Sequence, residues 1–181
     1  MTTSEAPELI GFAHRTLRDL RLRVAGANGG GPDALREAGF AGAESLFHAF
    51  ESWLTDVGVQ SVKDMPIDEF SSRAAEFFQR AGWGKVSFRS LHDAMAVLDI
   101  EGCWEAELHG QGESGCHLTT GTLAGFLGCV ADYPVAVMEI ECRSGASERC
   151  RFLAGTPEML EHAYERIARG ESWENLGEGE L

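Results

Sequence analysis

The chain contains no apolar stretch near the roughly 20 residues that a bilayer-crossing helix needs. Its first residues, MTTSEAPELIGFAHRTLRDL, lack the basic start and apolar centre of a secretion signal. Positive charge is scarce: 15 Lys and Arg stand against 29 Asp and Glu, a formal −14. Such a surface repels phosphate backbones and anionic membranes, which excludes general nucleic-acid binding. Neither G-x-x-x-x-G-K-[ST] nor a G-x-G-x-x-G following a strand is present. The glycine-rich GANGGG at 26–31 follows a helix and carries no lysine, so it makes no phosphate cradle. Paired C-x-x-C motifs are also missing. These absences set the expectation of a cytoplasmic protein with no membrane span and no nucleotide site.

What is present is ordinary globular usage. With 181 residues, 44% hydrophobic and 24% charged, the chain can build one domain with a real core and is tight for two. The first half reads helical. Leu9, Ala13, Leu17, Leu20 and Val24 fall on one face, then the glycines of 26–31 interrupt. Leu46, Phe50, Trp53 and Val57 form the stripe of a second helix, with Phe47 and Leu54 beside it. Ile67, Phe70, Ala74, Phe77 and Ala81 form that of a third, opened by Pro66. After Gly82-Trp83-Gly84 the period shortens. Lys85–Leu91 and Ala94–Ile100 read as a hairpin, and Cys103–Leu108 as a further strand or edge.

A glycine-rich loop, 110–115, precedes a helix over His117–Val130. That helix carries an unusually small face at Gly121, Ala124, Gly125 and Gly128, made for close approach to a sheet, a partner or a ligand. Pro134–Cys142 and Arg149–Leu153 read as two more strands. Pro157–Ala168 reads as a last helix, with Leu160, Ala163, Tyr164 and Ile167 inward. The resulting expectation is a single α+β domain over 6–169, N-terminal helices packed on an antiparallel sheet with an inserted helix. An acidic, flexible tail over 170–181 completes it.

Five cysteines is an odd count without an export signal, so reduced thiols or a metal site are the default readings. Glu139, Cys142 and Cys150 form E-x2-C-x7-C, and Cys116 precedes Cys142 by 26 residues. Three thiolates and a carboxylate suit four-coordinate zinc with no open position. The alternative is three buried cysteines acting as small hydrophobes. In a regular strand Glu139 and Cys142 point to opposite faces, so both reach one ion only if the strand ends or bulges between them. Glu141 has the parity of Glu139, and parity cannot choose between them. Arg143, Arg149 and Arg151 flank these residues and are candidates to donate to the sulfurs or the carboxylate. Cys103 and Cys129 are expected to stay free. A Cys116-His117 nucleophile–base pair is set aside, because sequence neighbours seldom have the geometry for proton transfer.

The segment CHLTTGTLAGFLGCVADYPVAVMEIECRSGASERCRF resembles the 4-vinyl reductase domain. It is similar too to the zinc-containing sensor domain of the sigma-54-dependent activators that respond to phenols and other aromatics. In those sensors a Cys, a Glu and two further Cys bind zinc at the spacing of Cys116, Glu139, Cys142 and Cys150. The resemblance therefore favours Glu139 over Glu141 and implies a structural zinc. WEAELH at 104–109 is also like the stretch ahead of the sensors' first ligand.

The implied fold is shared with small subunits of the TRAPP trafficking complex, an often dimeric fold with an apolar cavity between helices and sheet. The resemblance thus implies a zinc-stabilised sensor or carrier of a small hydrophobic or aromatic ligand, as a homodimer. With no ATPase or DNA-binding module in the chain, its signal is expected to pass to a separate effector. The other readings are a non-catalytic assembly protein, and an enzyme or accessory in tetrapyrrole metabolism; no catalytic residue stands out. Phe47, Phe50, Phe77, Trp83, Trp104 and Phe126 are the candidate cavity walls. Trp104 either lines the ligand pocket or plugs the core, and His109 lies beside it.

Overall fold

The computed structural model describes residues 9–26, 31–59, 61–63, 65–92, 95–106, 115–145 and 147–177. Its helices are α1 (His14–Ala25), α2 (Gly31–Ala41), α3 (Ala43–Asp56), α4 (Ile67–Arg80), α5 (His117–Ala131) and α6 (Pro157–Ala168). Its strands are β1 (Lys85–His92), β2 (Met95–Glu101), β3 (Ala136–Glu141) and β4 (Cys150–Gly155), antiparallel in the order β1-β2-β4-β3. Local chemistry marks the boundaries. Asp68 and Glu69 sit in the first turn of α4, where the helix dipole favours negative charge. Thr156 accepts from the Met159 N–H at 3.3 Å to cap α6, and Pro157 opens it. Residues 103–106 form turns rather than the further strand expected there, and 107–108 lie outside the described residues.

The sheet is covered on both faces. Leu98, Ile100, Cys150 and Phe152 point to a large core shared with Phe50, Phe78, Leu123 and Phe126 of α3, α4 and α5. Met95, Val97 and Leu153 point to a smaller core with Leu160 and Ala163 of α6. This is why β2 reads as a nearly continuous apolar run rather than an alternating one. Tyr164, expected inward, is exposed. So are Leu9 and Leu20 of the first stripe, because the inward position of α1 is taken by a buried Arg21.

The small face of α5 meets a helix, not the sheet. A Cβ built on Gly121 would lie 1.9 Å from the Arg36 carbonyl oxygen of α2, and one on Gly39 would lie 2.2 Å from the Leu118 carbonyl oxygen. The two backbones touch directly.

The stretch read as a flexible tail begins with docked residues. Trp173–Gly177 forms a 3-10 turn that buries Leu176 in the smaller core. Trp173 Nε1 donates to Glu141 Oε1 at 3.1 Å, and the Arg151 guanidinium lies 4.5 Å from the ring centre. Arg151 in turn holds Asp99 at 2.6 and 2.9 Å and Glu141 at 3.0 Å. Composition marked this stretch as acidic; two apolar side chains three residues apart were the signal that it could dock.

Burial opposes ionisation of Asp99, but the Arg151 hydrogen bonds and charge prevail and hold its carboxyl below the usual value. A depressed folded-state value means stabilisation that is present above the unfolded value near 3.9 and lost as pH falls through the folded one. Melting temperature measured against pH should therefore decline on the acid side in the wild type. Asp99→Asn should start lower at neutral pH and show a flatter acid limb.

Candidate metal centre and apolar cavity

The N-terminal end of α5 exposes backbone N–H groups that need partners, and two carboxylates reach them. Glu105, 1% exposed, accepts from the N–H groups of Leu118 at 3.0 Å and Thr119 at 2.8 Å. Arg21 crosses from α1 to pair with Glu105 Oε1 at 3.3 Å and donates to the Gly115 carbonyl at 3.1 Å. Burial pushes the Glu105 carboxyl above its ordinary value, against the pull of those donors. Sequence reasoning missed this pair; an Arg within an apolar helical stripe was its only trace. Glu105→Gln should cost about 2–3 kcal/mol, the range for a lost hydrogen bond to a charged group, read as a shifted denaturant midpoint. Arg21→Met with Glu105→Gln should recover part of it, because no unpaired charge is then buried.

The second carboxylate, Glu139, accepts the Cys116 N–H through Oε2 at 2.7 Å. Around it the Cys116 sulfur lies 3.9 Å from that of Cys142 and 3.6 Å from that of Cys150. Donor atoms of Cys116, Glu139, Cys142 and Cys150 all lie within 4.8 Å of one another. The four residues expected from spacing are thus brought together.

A bulge makes this possible. Between Glu139 and Glu141 the β3–β4 register shifts, so Glu139 stands opposite Phe152 and Glu141 opposite Arg151. One glutamate faces the sulfurs; the other joins Arg151 and Trp173 on the far side of the sheet. The strand ends at Glu141, and the following 3-10 turn, Arg143–Gly145, lets Cys142 return to the cluster.

The donor set could hold a metal ion. Glu139 Oε1 is buried and has no hydrogen-bond partner, a costly state for a carboxylate oxygen that a cation would relieve. Burial pushes the Glu139 carboxyl up to about 8. Arg143 supplies only its backbone N–H, 3.5 Å from the Cys150 sulfur. Arg149 and Arg151 were candidates to serve the sulfurs, but both pair with Asp99 on the opposite face because their strand parity turns them away. Cys129 stands apart, half-buried on α5. Cys103 does not: it is 2% exposed and 3.7 Å from the Cys116 sulfur.

A cavity of about 450 Å³ opens at the other end of the sheet, between α4, the β1–β2 hairpin and the C-terminal end of α5. Its walls include Met65, Phe70, Phe88, Leu98, Leu127 and Val130, with Lys63, Ser71 and Ser90 among the polar lining. Trp104 is not one of its lining residues. That indole is half-buried and packs edge-to-face on Trp83 with ring centres 6.0 Å apart. Phe47, Phe50, Phe77 and Phe126 stack into one aromatic cluster instead of lining this space. His109 lies outside the described residues.

Comparison with known proteins agrees with this architecture. Residues 96–156 match the 4-vinyl reductase domain, a span that includes all four clustered residues. No curated protein matches the chain. Among solved structures, the phenol-responsive sensory domain of the transcription activator PoxR with phenol superposes with a TM-score of 0.65 at 13% identity, covering 91% of this chain and 84% of that one. A vinyl-4-reductase family protein from Methanocaldococcus jannaschii gives 0.54 at 17%, covering 81% and 83%. Trafficking protein particle complex subunit 3 from Naegleria fowleri, covalently bound to palmitic acid, gives 0.56 at 10%, covering 78% and 89%. These likenesses establish the fold, and the expected α+β class and 4-vinyl reductase resemblance are borne out.

Proposed function

With residues 96–156 matching the 4-vinyl reductase domain, we propose that the chain is a zinc-stabilised module that binds a small hydrophobic or aromatic molecule and signals to a separate partner. The cavity carries the ligand half of this reading. Its volume of about 450 Å³ falls within the range of small-molecule sites, and its lining is mostly apolar with a few hydroxyls and one lysine ammonium. The PoxR domain, whose ligand is phenol, supports the same reading.

The metal half rests on the orphaned Glu139 oxygen and on the sulfur spacing. A tetrahedral zinc with Zn–S near 2.3 Å sets its sulfurs about 3.8 Å apart, and the two measured separations are 3.9 and 3.6 Å. Cys116, Glu139, Cys142 and Cys150 would hold the ion. Four protein ligands leave no position for water, so its chemistry is structural. Leu9, Ile10, Phe12 and Leu20 leave apolar side chains exposed at the N-terminal end, which supports a homodimer there. Sedimentation equilibrium of the wild type against Leu20→Glu measures it.

Calorimetric titration with simple phenols and with palmitate tests the ligand half. One class should bind one per chain, and Leu98→Trp, which fills the cavity, should abolish that binding while leaving metal content unchanged. Wild-type protein that binds none of them, and carries no small molecule in its native mass spectrum, would sink the reading.

A further inference from the structure

Cys103 is placed by the end of β2. Glu101 closes the strand, Gly102 turns the chain at a φ of 69° that a side chain would resist, and the next thiol enters the cluster. Its sulfur lies 3.7 Å from that of Cys116 and 3.9 Å from Thr119 Oγ1, and it also interacts with the Cys150 thiol. Cys103 falls outside the four residues whose donor atoms are mutually within 4.8 Å. It therefore borders the centre across the Cys116–Cys150 edge, whose sulfurs are 3.6 Å apart. The 3.7 Å separation is itself the edge length of a tetrahedral thiolate site, about 3.8 Å.

Donor softness gives this arrangement a consequence. Zinc is borderline and accepts a carboxylate beside thiolates, whereas thiophilic ions such as Cd(II) and Cu(I) favour sulfur. We propose that Cys103 is a fourth sulfur donor of the centre, recruited by soft thiophilic cations when the ion shifts toward the Cys116–Cys150 edge and Glu139 lets go. The choice of metal is then set by which fourth donor closes the shell. Oxygen from Glu139 selects zinc; sulfur from Cys103 selects the softer ion. This inference rests on the zinc reading above.

The test uses the full chain, loaded anaerobically with Zn(II) alone, Cd(II) alone, or both in competition. Thiolate-to-Cd(II) absorbance in the ultraviolet counts the sulfurs bound. The wild type should show the intensity of four thiolates and Cys103→Ser about three quarters of it. The Cd(II)-over-Zn(II) preference of Cys103→Ser should fall by roughly tenfold or more, the scale on which ligand-shell changes act, with zinc stoichiometry kept at one. Glu139→Gln should shift the preference the other way.

A three-thiolate intensity in the wild type itself overturns the proposal and needs no variant. Equal weakening of both metals in Cys103→Ser and in Cys103→Ala also overturns it, since a packing role would do that. Zinc bound with no effect of Cys103 sinks this inference alone. Neither metal bound by the wild type sinks the zinc reading along with it.

Discussion

Cys116→Ser is expected to strip the protein of its metal and of much of its stability. Cys116 is fully buried, stands at the N-cap of α5, and its sulfur is within 3.6 to 3.9 Å of three other sulfurs. Serine is among the best N-cap residues, so the substitution alone should favour the helix. Any loss then reports the centre rather than the cap. Because binding free energy at a structural zinc is folding free energy, a loss of at least about 4 kcal/mol is expected, which in a domain of this size lowers the melting temperature by roughly 8–16 °C. Elemental analysis of wild-type protein prepared without added metal should give one zinc per chain, and that of the variant less than a few tenths, the usual sign of an emptied site. Chelator-treated wild type should melt with the variant. Stripped wild type that melts unchanged would show the ion to be dispensable.

Gly121→Ala should be the most damaging single methyl in the chain. Alanine favours a helix over glycine by up to about 1 kcal/mol, so intrinsic propensity predicts stabilisation. Contact predicts the opposite. The new Cβ would meet the Arg36 carbonyl oxygen at 1.9 Å and its carbon at 2.8 Å, both backbone atoms that no rotamer change can move. Helix α2 must retreat along its contact with α5, and a net loss of about 3 kcal/mol or more is expected, at or above the upper end for overpacking. Gly128→Ala on the same helix is the control. Its Cβ would lie 3.5 Å from the Tyr133 oxygen, an ordinary contact, so that variant should be neutral or slightly more stable. Denaturant midpoints of the pair decide the matter, and equal midpoints would refute the backbone contact.

Much of this was readable from residue order, and the failures have physical causes. The stripes of α3 and α4 and the β1–β2 hairpin were legible because their apolar residues recur with the period of the element. The four clustered donors were legible through their spacing together with the family resemblance. The decision between Glu139 and Glu141 was not: their parity is identical, and only a one-residue bulge separates them. Cys103 was missed as a neighbour of Cys116 because their approach depends on a turn at Gly102 and on the start of α5, thirteen residues later. Trp104 looked like a wall because indoles suit aromatic ligands, yet sequence does not say which aromatics pack on each other and which border empty space. Arg21 shows the same limit in reverse, a cation on an apolar stripe whose partner lies 84 residues away.

The sheet carries its two features of interest at opposite ends. Cys150 opens β4 beside the thiols, while Ala154 and Gly155 close the strand at the cavity. Four residues of antiparallel strand put about 13 Å between them, beyond the distance at which substitutions normally interfere with one another. Changes at Phe70, Phe88 or Val130 should therefore combine additively with changes at Glu139 or Cys142, to within about 0.3–0.5 kcal/mol in a double-mutant cycle. Evolution can then rework what the cavity admits without renegotiating how the fold is anchored. Lineages that keep the four donors are free to diverge in ligand, and the pocket, not the centre, is where that divergence should be written.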